Sequence, residues 1–154
     1  MSSKSITSKI FIPGGIMSPG DLKIIASTAA ENGIGCIHFG ERQEIYLRFQ
    51  EQVFKPITEK LKNTQYYFQV EPFSFYNIIS SYPVKNLDNS VKWLTEGIYR
   101  EIIGSFSYQP ILKINIVDPL QGMVPLFSGH LNFVASKYEN YWYLYLRLYQ
   151  DVKR

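Results

Sequence analysis

The chain is poor in the residues that make disulfides and metal sites. It has one cysteine, Cys36, and two histidines, His38 and His130, in 154 residues. A single thiol excludes an intrachain disulfide and any all-cysteine metal or iron–sulfur site held by this chain. The two histidines are too few and too separated to suggest a zinc site. Charge is scarce too: 16 Lys and Arg stand against 13 Asp and Glu, for a net charge of +3. That balance leans toward an anionic partner but lacks the basic stripe of a nucleic-acid binder. No apolar run approaches the roughly 20 residues that span a bilayer. The opening MSSKSITSK has no apolar signal core, so no membrane association and a cytoplasmic location are expected.

Apolar residues are plentiful at 45%, enough to build a core. Aromatics reach 16%, with twelve Tyr, which suits surfaces where a ring packs on one side and a hydroxyl meets water.

The N-terminal half reads as strands and helices in alternation. Residues 9–12 (KIFI) form a short strand that PGG breaks. Ser18, Pro19 and Asp21 then have the spacing of an N-cap, a first helical position and a capping-box acid. Leu22, Ile25, Ala26 and Ala29 share one face of this helix, and Gly33 and Gly35 end it. Residues 36–39 (CIHF) are a second strand. In FGERQEIYLRF (39–49) the odd positions Ile45, Leu47 and Phe49 are apolar, whereas Arg42, Glu44, Tyr46 and Arg48 fall on the other face. A second helix is expected over about 53–63, with Phe54, Ile57 and Leu61 inward and Pro56 in its first turn. Residues 65–70 (QYYFQV) are a fourth strand. The order is βαββαβ, the ferredoxin-like pattern, with both helices on one sheet face and the charged side of FGERQEIYLRF on the open face.

After this lobe, 71–83 reads as an irregular connector. Asn86, Asp88 and Asn89 offer caps for a third helix over about 89–103, with Val91, Leu94, Ile98 and Ile102 inward and Gly104 as its stop. ILKINIV (111–117) is a strand and DPLQG a turn. HLNFVAS (130–136) and YWYLYLRLY (141–149) form a hairpin whose last strand sets Trp142, Leu144, Leu146 and Leu148 against Tyr141, Tyr143, Tyr145, Arg147 and Tyr149. The fold class is therefore α+β: a ferredoxin-like lobe over 1–72, then a second α+β lobe over 73–154 with one helix and an antiparallel sheet.

PGGIMSPG lacks the phosphate-loop lysine and the dinucleotide spacing, so it reads as a turn and a cap. Cys36 reads as a small buried hydrophobe in a strand rather than a reactive thiol, and His38 as a plain surface or core histidine. Arg42 and Arg48, with Tyr46 between them, admit two readings: an anion clamp, since guanidinium forks match carboxylates, or a solvated sheet face. The two arginines are six residues apart, about 20 Å along a strand, and cannot grip one small anion.

GGIMSPGDLKIIASTAAENGIGCIHFGERQEIYLRF (14–49) resembles the ferredoxin-like half domain of siroheme-dependent nitrite and sulfite reductases. Glu41-Arg42-Gln43 stands where that family has Thr-Arg-Gln. Tyr76-Asn77-Ile78-Ile79-Ser80-Ser81 is similar to its Arg-Asn segment, and Pro110-Ile111-Leu112-Lys113-Ile114 to its Pro-x-Lys-Phe-Lys strand. The resemblance implies that Arg42 and Lys113 face a substrate anion above siroheme, with Tyr76 and Asn77 in the Arg-Asn place and one lysine missing. Arg42, Arg48, Lys113, Tyr76 and Asn77 are thus the candidate anion- and cofactor-binding residues, with no catalytic residue and no metal ligand among them.

Two functions follow from the resemblance. One is the N-terminal part of a nitrite/sulfite reductase-like oxidoreductase, forming one wall of a siroheme and oxyanion site and not catalytic by itself. Its haem would be siroheme held in the longer parent, and its iron–sulfur cluster would come from residues outside this chain. The other is a non-catalytic docking or dimerisation module in a redox protein linked to rubredoxin-type or iron–sulfur electron transfer. The expected partners are a second copy, a second reductase-like repeat or a redox protein. The strands lack the aromatic pattern of RNA-binding sheets, so no nucleic acid is expected.

Overall fold

The computed structural model describes residues 4–85, 87, 90–121 and 128–148. Its first sheet is antiparallel throughout, with strands β1 (Ser5–Phe11), β2 (Ile37–Gly40), β3 (Glu44–Gln50) and β4 (Phe68–Val70) in the order β2-β3-β1-β4. Helices α1 (Pro19–Glu31) and α2 (Phe54–Leu61) lie between β1 and β2 and between β3 and β4. This is the expected βαββαβ order. Ser18 caps α1, its Oγ accepting the Asp21 N–H at 3.0 Å. Ile45, Leu47 and Phe49 of β3 pack with Ile25 and Ala29 of α1 and with Ile57 and Leu61 of α2. Strand alternation alone puts these three on the helix side. Leu22 and Ala26 point outward instead, and Thr28 joins Ile25 and Ala29 as the buried stripe of α1.

The second sheet holds β5 (Ile78–Ser80), β6 (Ile114–Val117), β7 (Leu131–Ala135) and β8 (Trp142–Leu146), in that order. Its α+β character is as expected, but the antiparallel pairing is found only between β7 and β8; β5–β6 and β6–β7 are parallel. Parallel neighbours need a crossover of about a dozen residues or more. The stretch with α3 (Glu96–Gly104) supplies one and residues 118–130 the other.

Several further expectations are corrected here. The connector 71–83 contains β5, a strand of three buried residues too short for a periodicity to register. Helix α3 begins at Glu96 with Thr95 as its cap; Val91 and Leu94 are buried ahead of it, and Tyr99 is its most buried side chain. The proposed caps Asn86, Asp88 and Asn89 lie outside the described residues, as does Tyr149. Ile111 and Leu112 are exposed, and β6 starts only at Ile114. Cys36 is exposed just before β2 rather than buried within it.

The core of the second lobe joins Ile78, Leu94, Tyr99, Ile114 and Ile116, with Trp93 set edge-on to Trp142 at 5.3 Å. Leu131, Phe133 and Ala135 of β7 lie opposite Leu146, Leu144 and Trp142. This apolar row therefore continues onto β8, where only Trp142 is covered: Leu144 and Leu146 are 52% and 59% exposed. None of the described helices is long and apolar enough to cross a membrane.

Candidate functional site

The two sheets meet at the β2–β3 turn, residues 41–43. Gln43 sits there in the left-handed region, at φ 55°. Its side-chain amide pairs with β5 as a neighbouring strand would: Nε2 donates to the Ser80 carbonyl at 2.7 Å, and Oε1 accepts the Ser80 N–H at 3.0 Å. That pairing closes the β5 edge of the second sheet. PGG serves the same seam. The Gly14 carbonyl accepts from Ser80 Oγ at 2.7 Å, and a Cβ on Gly14 would stand 2.1 Å from the Ile103 side chain. The motif read as a turn also packs against the second lobe.

Arg42 extends from this turn into the second lobe. Its Nη2 donates to the carbonyls of Asn77 (2.8 Å) and Ile114 (3.1 Å), and its Nη1 to Asn115 Oδ1 at 3.2 Å. Burial lowers its pKa, opposed by the charge of Glu44. Asn77, fully buried, does not line the pocket described next. Its Nδ2 lies within hydrogen-bonding distance of the carbonyls of Ile12, Arg42 and Gln43, at 2.7 to 2.8 Å.

Beside the seam is a pocket of about 300 Å³ lined by Lys9, Glu41, Arg42, Glu44, Tyr46, Tyr76 and Lys113. It brings together three of the five candidate residues, Arg42, Tyr76 and Lys113. The Lys113 ammonium lies over the Tyr76 ring, 5.0 Å from its centroid, and His130 meets that ring edge-on at 6.0 Å. His130 Nδ1 accepts the Lys113 N–H at 3.0 Å. Burial, and then the charges of Lys113, Arg42 and Arg147, hold the His130 pKa below its ordinary value. Arg48 is elsewhere. Exposed, it bonds Ser5 Oγ at 3.1 Å and lines a separate pocket with Cys36 and His38.

Two pocket residues escaped the sequence reading. Lys9 is 3% exposed, and Glu44, assigned to an open face, is likewise 3% exposed. The cause is residues 71–75, which fold back across that face. Phe73 meets Tyr46 edge-on at 6.0 Å, Lys9 Nζ donates to the Phe75 carbonyl at 2.8 Å, and Glu71 accepts the Thr7 N–H at 3.1 Å. Tyr46 donates to Glu44 Oε2 at 2.8 Å; burial and this bond raise its pKa well above the usual phenol range. The signal for Lys9 was its place in register with Tyr46, visible only once β1 is paired with β3.

Chemically, the pocket offers three cations from both lobes, two phenols and two carboxylates. That set suits a small oxyanion or a carboxylate. Among the described residues no cluster of His, Cys, Asp and Glu could hold a metal ion.

Residues 2–63 match the family model described as the nitrite/sulfite reductase ferredoxin-like half domain. Among solved structures, the chain is similar to the NirA protein of Mycobacterium tuberculosis, with a TM-score of 0.64 and 16% identity. The likeness, one of fold, covers 92% of this chain and 28% of the NirA chain. The search of curated proteins finds no match. The family-model match is confined to residues 2–63, within the first lobe, and the likeness to NirA extends over both lobes as one of fold.

Proposed function

We propose that this chain forms one wall of a siroheme and oxyanion site in a nitrite/sulfite reductase-like oxidoreductase, and that alone it binds without turning over. One observation carries the reading: Arg42 of the first lobe and Lys113 of the second line the same pocket. The reading takes residues 1–72 as the half domain and 73–154 as the start of the siroheme lobe.

The residues fit one side of such a site. A volume of about 300 Å³ takes a small oxyanion or one acid arm of a larger ligand, so a tetrapyrrole would need a second wall. Siroheme, when bound, supplies electrons to the oxyanion. Arg42 and Lys113 hold the anion and offset its charge, while Tyr76 and the Lys113 stem form an apolar shoulder. The iron–sulfur cluster belongs to residues outside this chain, because one thiol cannot hold it. A cytoplasmic setting with an iron–sulfur or rubredoxin-type electron donor completes the reading.

The test is an absorbance titration of siroheme into the wild-type chain, Arg42→Ala and Arg48→Ala. Losing one charge-assisted contact is worth roughly 1.5–3 kcal/mol, or about one to two decades in affinity. Arg42→Ala is expected to show that loss and Arg48→Ala to bind as wild type does. No binding by wild type, or equal binding by all three, would remove the reading.

A docking module is the second reading, favoured by β8. This strand ends the order of the second sheet and carries exposed Tyr143, Leu144 and Leu146, with exposed Tyr141 and Leu148 flanking it. A terminal strand with exposed apolar side chains invites association. On this reading a second copy, or a second reductase-like repeat, pairs along β8.

A further inference from the structure

A polar relay runs from Arg42 into the second lobe. Both Nη2 bonds of Arg42 go to main-chain carbonyls, whereas its Nη1 donates to a side chain, Asn115 Oδ1, at 3.2 Å. Bonds at one nitrogen leave a guanidinium free to swing about that nitrogen, and a bond at a second nitrogen fixes its plane. Asn115 therefore holds Arg42 only while its oxygen, and not its NH2 group, faces the guanidinium. Turned over, the same carboxamide would set donor against donor.

Asn132 of β7 decides between these two orientations. Asn115 and Asn132 are in register on parallel strands, and both are buried. Asn115 Nδ2 donates to Asn132 Oδ1 at 3.0 Å and to Ser128 Oγ at 2.9 Å. A carboxamide has two N–H donors and two lone pairs on oxygen, and Asn132 uses all four. Its Oδ1 accepts from Asn115 and from the Gly129 N–H at 3.0 Å; its Nδ2 donates to the carbonyls of Gly129 at 3.0 Å and Tyr145 at 3.3 Å. Three of these partners are main-chain groups whose polarity is fixed, so Asn132 cannot turn over. Its oxygen faces Asn115, which answers with Nδ2 and leaves Oδ1 for Arg42. Gly129 leaves room for that oxygen, since a Cβ there would stand 2.9 Å from it. For packing alone, two apolar residues would fill these interior strand positions without burying polar atoms.

We propose that Asn132 is a positioning residue for the anion pocket, acting through Asn115 to fix the guanidinium of Arg42 beside Lys113. Asn132 does not itself line that pocket. This rests on the anion-site reading of the pocket.

Siroheme titrations followed by absorbance, and urea unfolding, test it on the full chain as wild type, Asn132→Leu, Arg42→Ala and the double variant. Leucine has nearly the size of asparagine and removes the polarity lock. Asn132→Leu is expected to weaken siroheme binding by about 3- to 10-fold, the worth of one hydrogen bond. Because it acts through Arg42, the double variant should lose less stability than the two single losses added together, whereas unconnected sites add. Additive losses would show that Asn132 supports the fold only, and would overturn the inference whatever happens to binding. If Asn132→Leu binds as wild type does while Arg42→Ala is weakened, the pocket reading survives and the Asn132 inference fails. If wild type does not bind, or if Arg42→Ala is not weakened either, both fail. Should Asn132→Leu not fold, Asn132→Ser, which leaves space for a water on the Gly129 groups, takes its place in the same comparison with the same outcomes.

Discussion

Arg42 and Asn77 hold each other by reciprocal bonds across the seam: Arg42 Nη2 donates to the Asn77 carbonyl, and Asn77 Nδ2 donates to the Arg42 carbonyl, each at 2.8 Å. One residue comes from the turn of the first sheet and the other from the residue before β5. The candidate pocket exists because this clasp sets Arg42 beside Lys113.

Asn77→Ala removes a buried side chain that donates to the carbonyls of Ile12, Arg42 and Gln43; the Ile12 carbonyl keeps the Gly15 N–H, and those of Arg42 and Gln43 lose this donor. A buried group left unpaired costs about 1–3 kcal/mol. The expected loss is therefore at least about 2 kcal/mol in urea unfolding, and siroheme or sulfite binding should weaken with it as Arg42 loses its position.

Gly15 and Gly33 have nearly the same backbone, at φ 72° and 71°, in different surroundings. A Cβ on Gly15 would stand 2.7 Å from the Gln43 side chain, whereas one on Gly33 would meet nothing within 4 Å. Gly33→Ala should cost about 1–2 kcal/mol, the left-handed penalty alone. Gly15→Ala should cost measurably more, because it displaces the amide that pairs with Ser80. Equal losses in chemical denaturation would show that the Gln43 clip contributes little.

Tyr99 is buried against Ser81, with its hydroxyl 2.7 Å from Ser81 Oγ. Burial raises its pKa from 10.0 to about 12, partly opposed by the Ser81 bond, and Asp118 adds to the rise. The folded state thus keeps this proton longer than the unfolded chain does. The associated stability is fully present below pH 10 and is lost as the pH rises to about 12. The loss is on the order of 2–3 kcal/mol at about 1.4 kcal/mol per unit. Tyr99→Phe should flatten this part of the stability–pH curve.

His130 works in the opposite direction. With its pKa lowered, the folded chain takes up this proton less readily than the unfolded chain. Its contribution is present above the ordinary histidine pKa, about 6.5, and is lost as the pH falls through and below that value. Protonation would also set an N–H against the Lys113 N–H that Nδ1 now accepts. Ring-proton NMR in a His38→Asn background should show one histidine titrating below the usual range.

The exposed edge at β8 gives a test of association. Leu146→Lys places a charge in the apolar row that β8 continues from β7. If copies pair along this edge, light scattering should show a dimer for wild type and a monomer for the variant. A wild-type monomer at high concentration would count against association.

Local chemistry made much of the first lobe legible in the sequence. Period-two alternation assigned the inner face of β3, and the Ser18-Pro19-Asp21 cap located the start of α1, because both depend on neighbours in the chain. The same logic placed the β7–β8 hairpin. Alternation marked Arg42 as half of a possible anion clamp, whereas Tyr76 and Lys113 were found by resemblance, since nothing local marks them. The rest depended on tertiary structure. Three-residue β5 is a strand because β6 pairs on one side and the Gln43 amide on the other, and no propensity encodes a partner so distant in sequence. Arg48 and Arg42 look equivalent by alternation, yet one is exposed beside Ser5 and the other reaches between the lobes. Glu44 reads as a charge on an open face, and nothing singles out Lys9, until residues 71–75 fold over them. The sequence by itself determined which residues could face one another within an element; the docking of the two lobes decided which charges lost their water, because burial belongs to the whole packed chain and not to any segment of it.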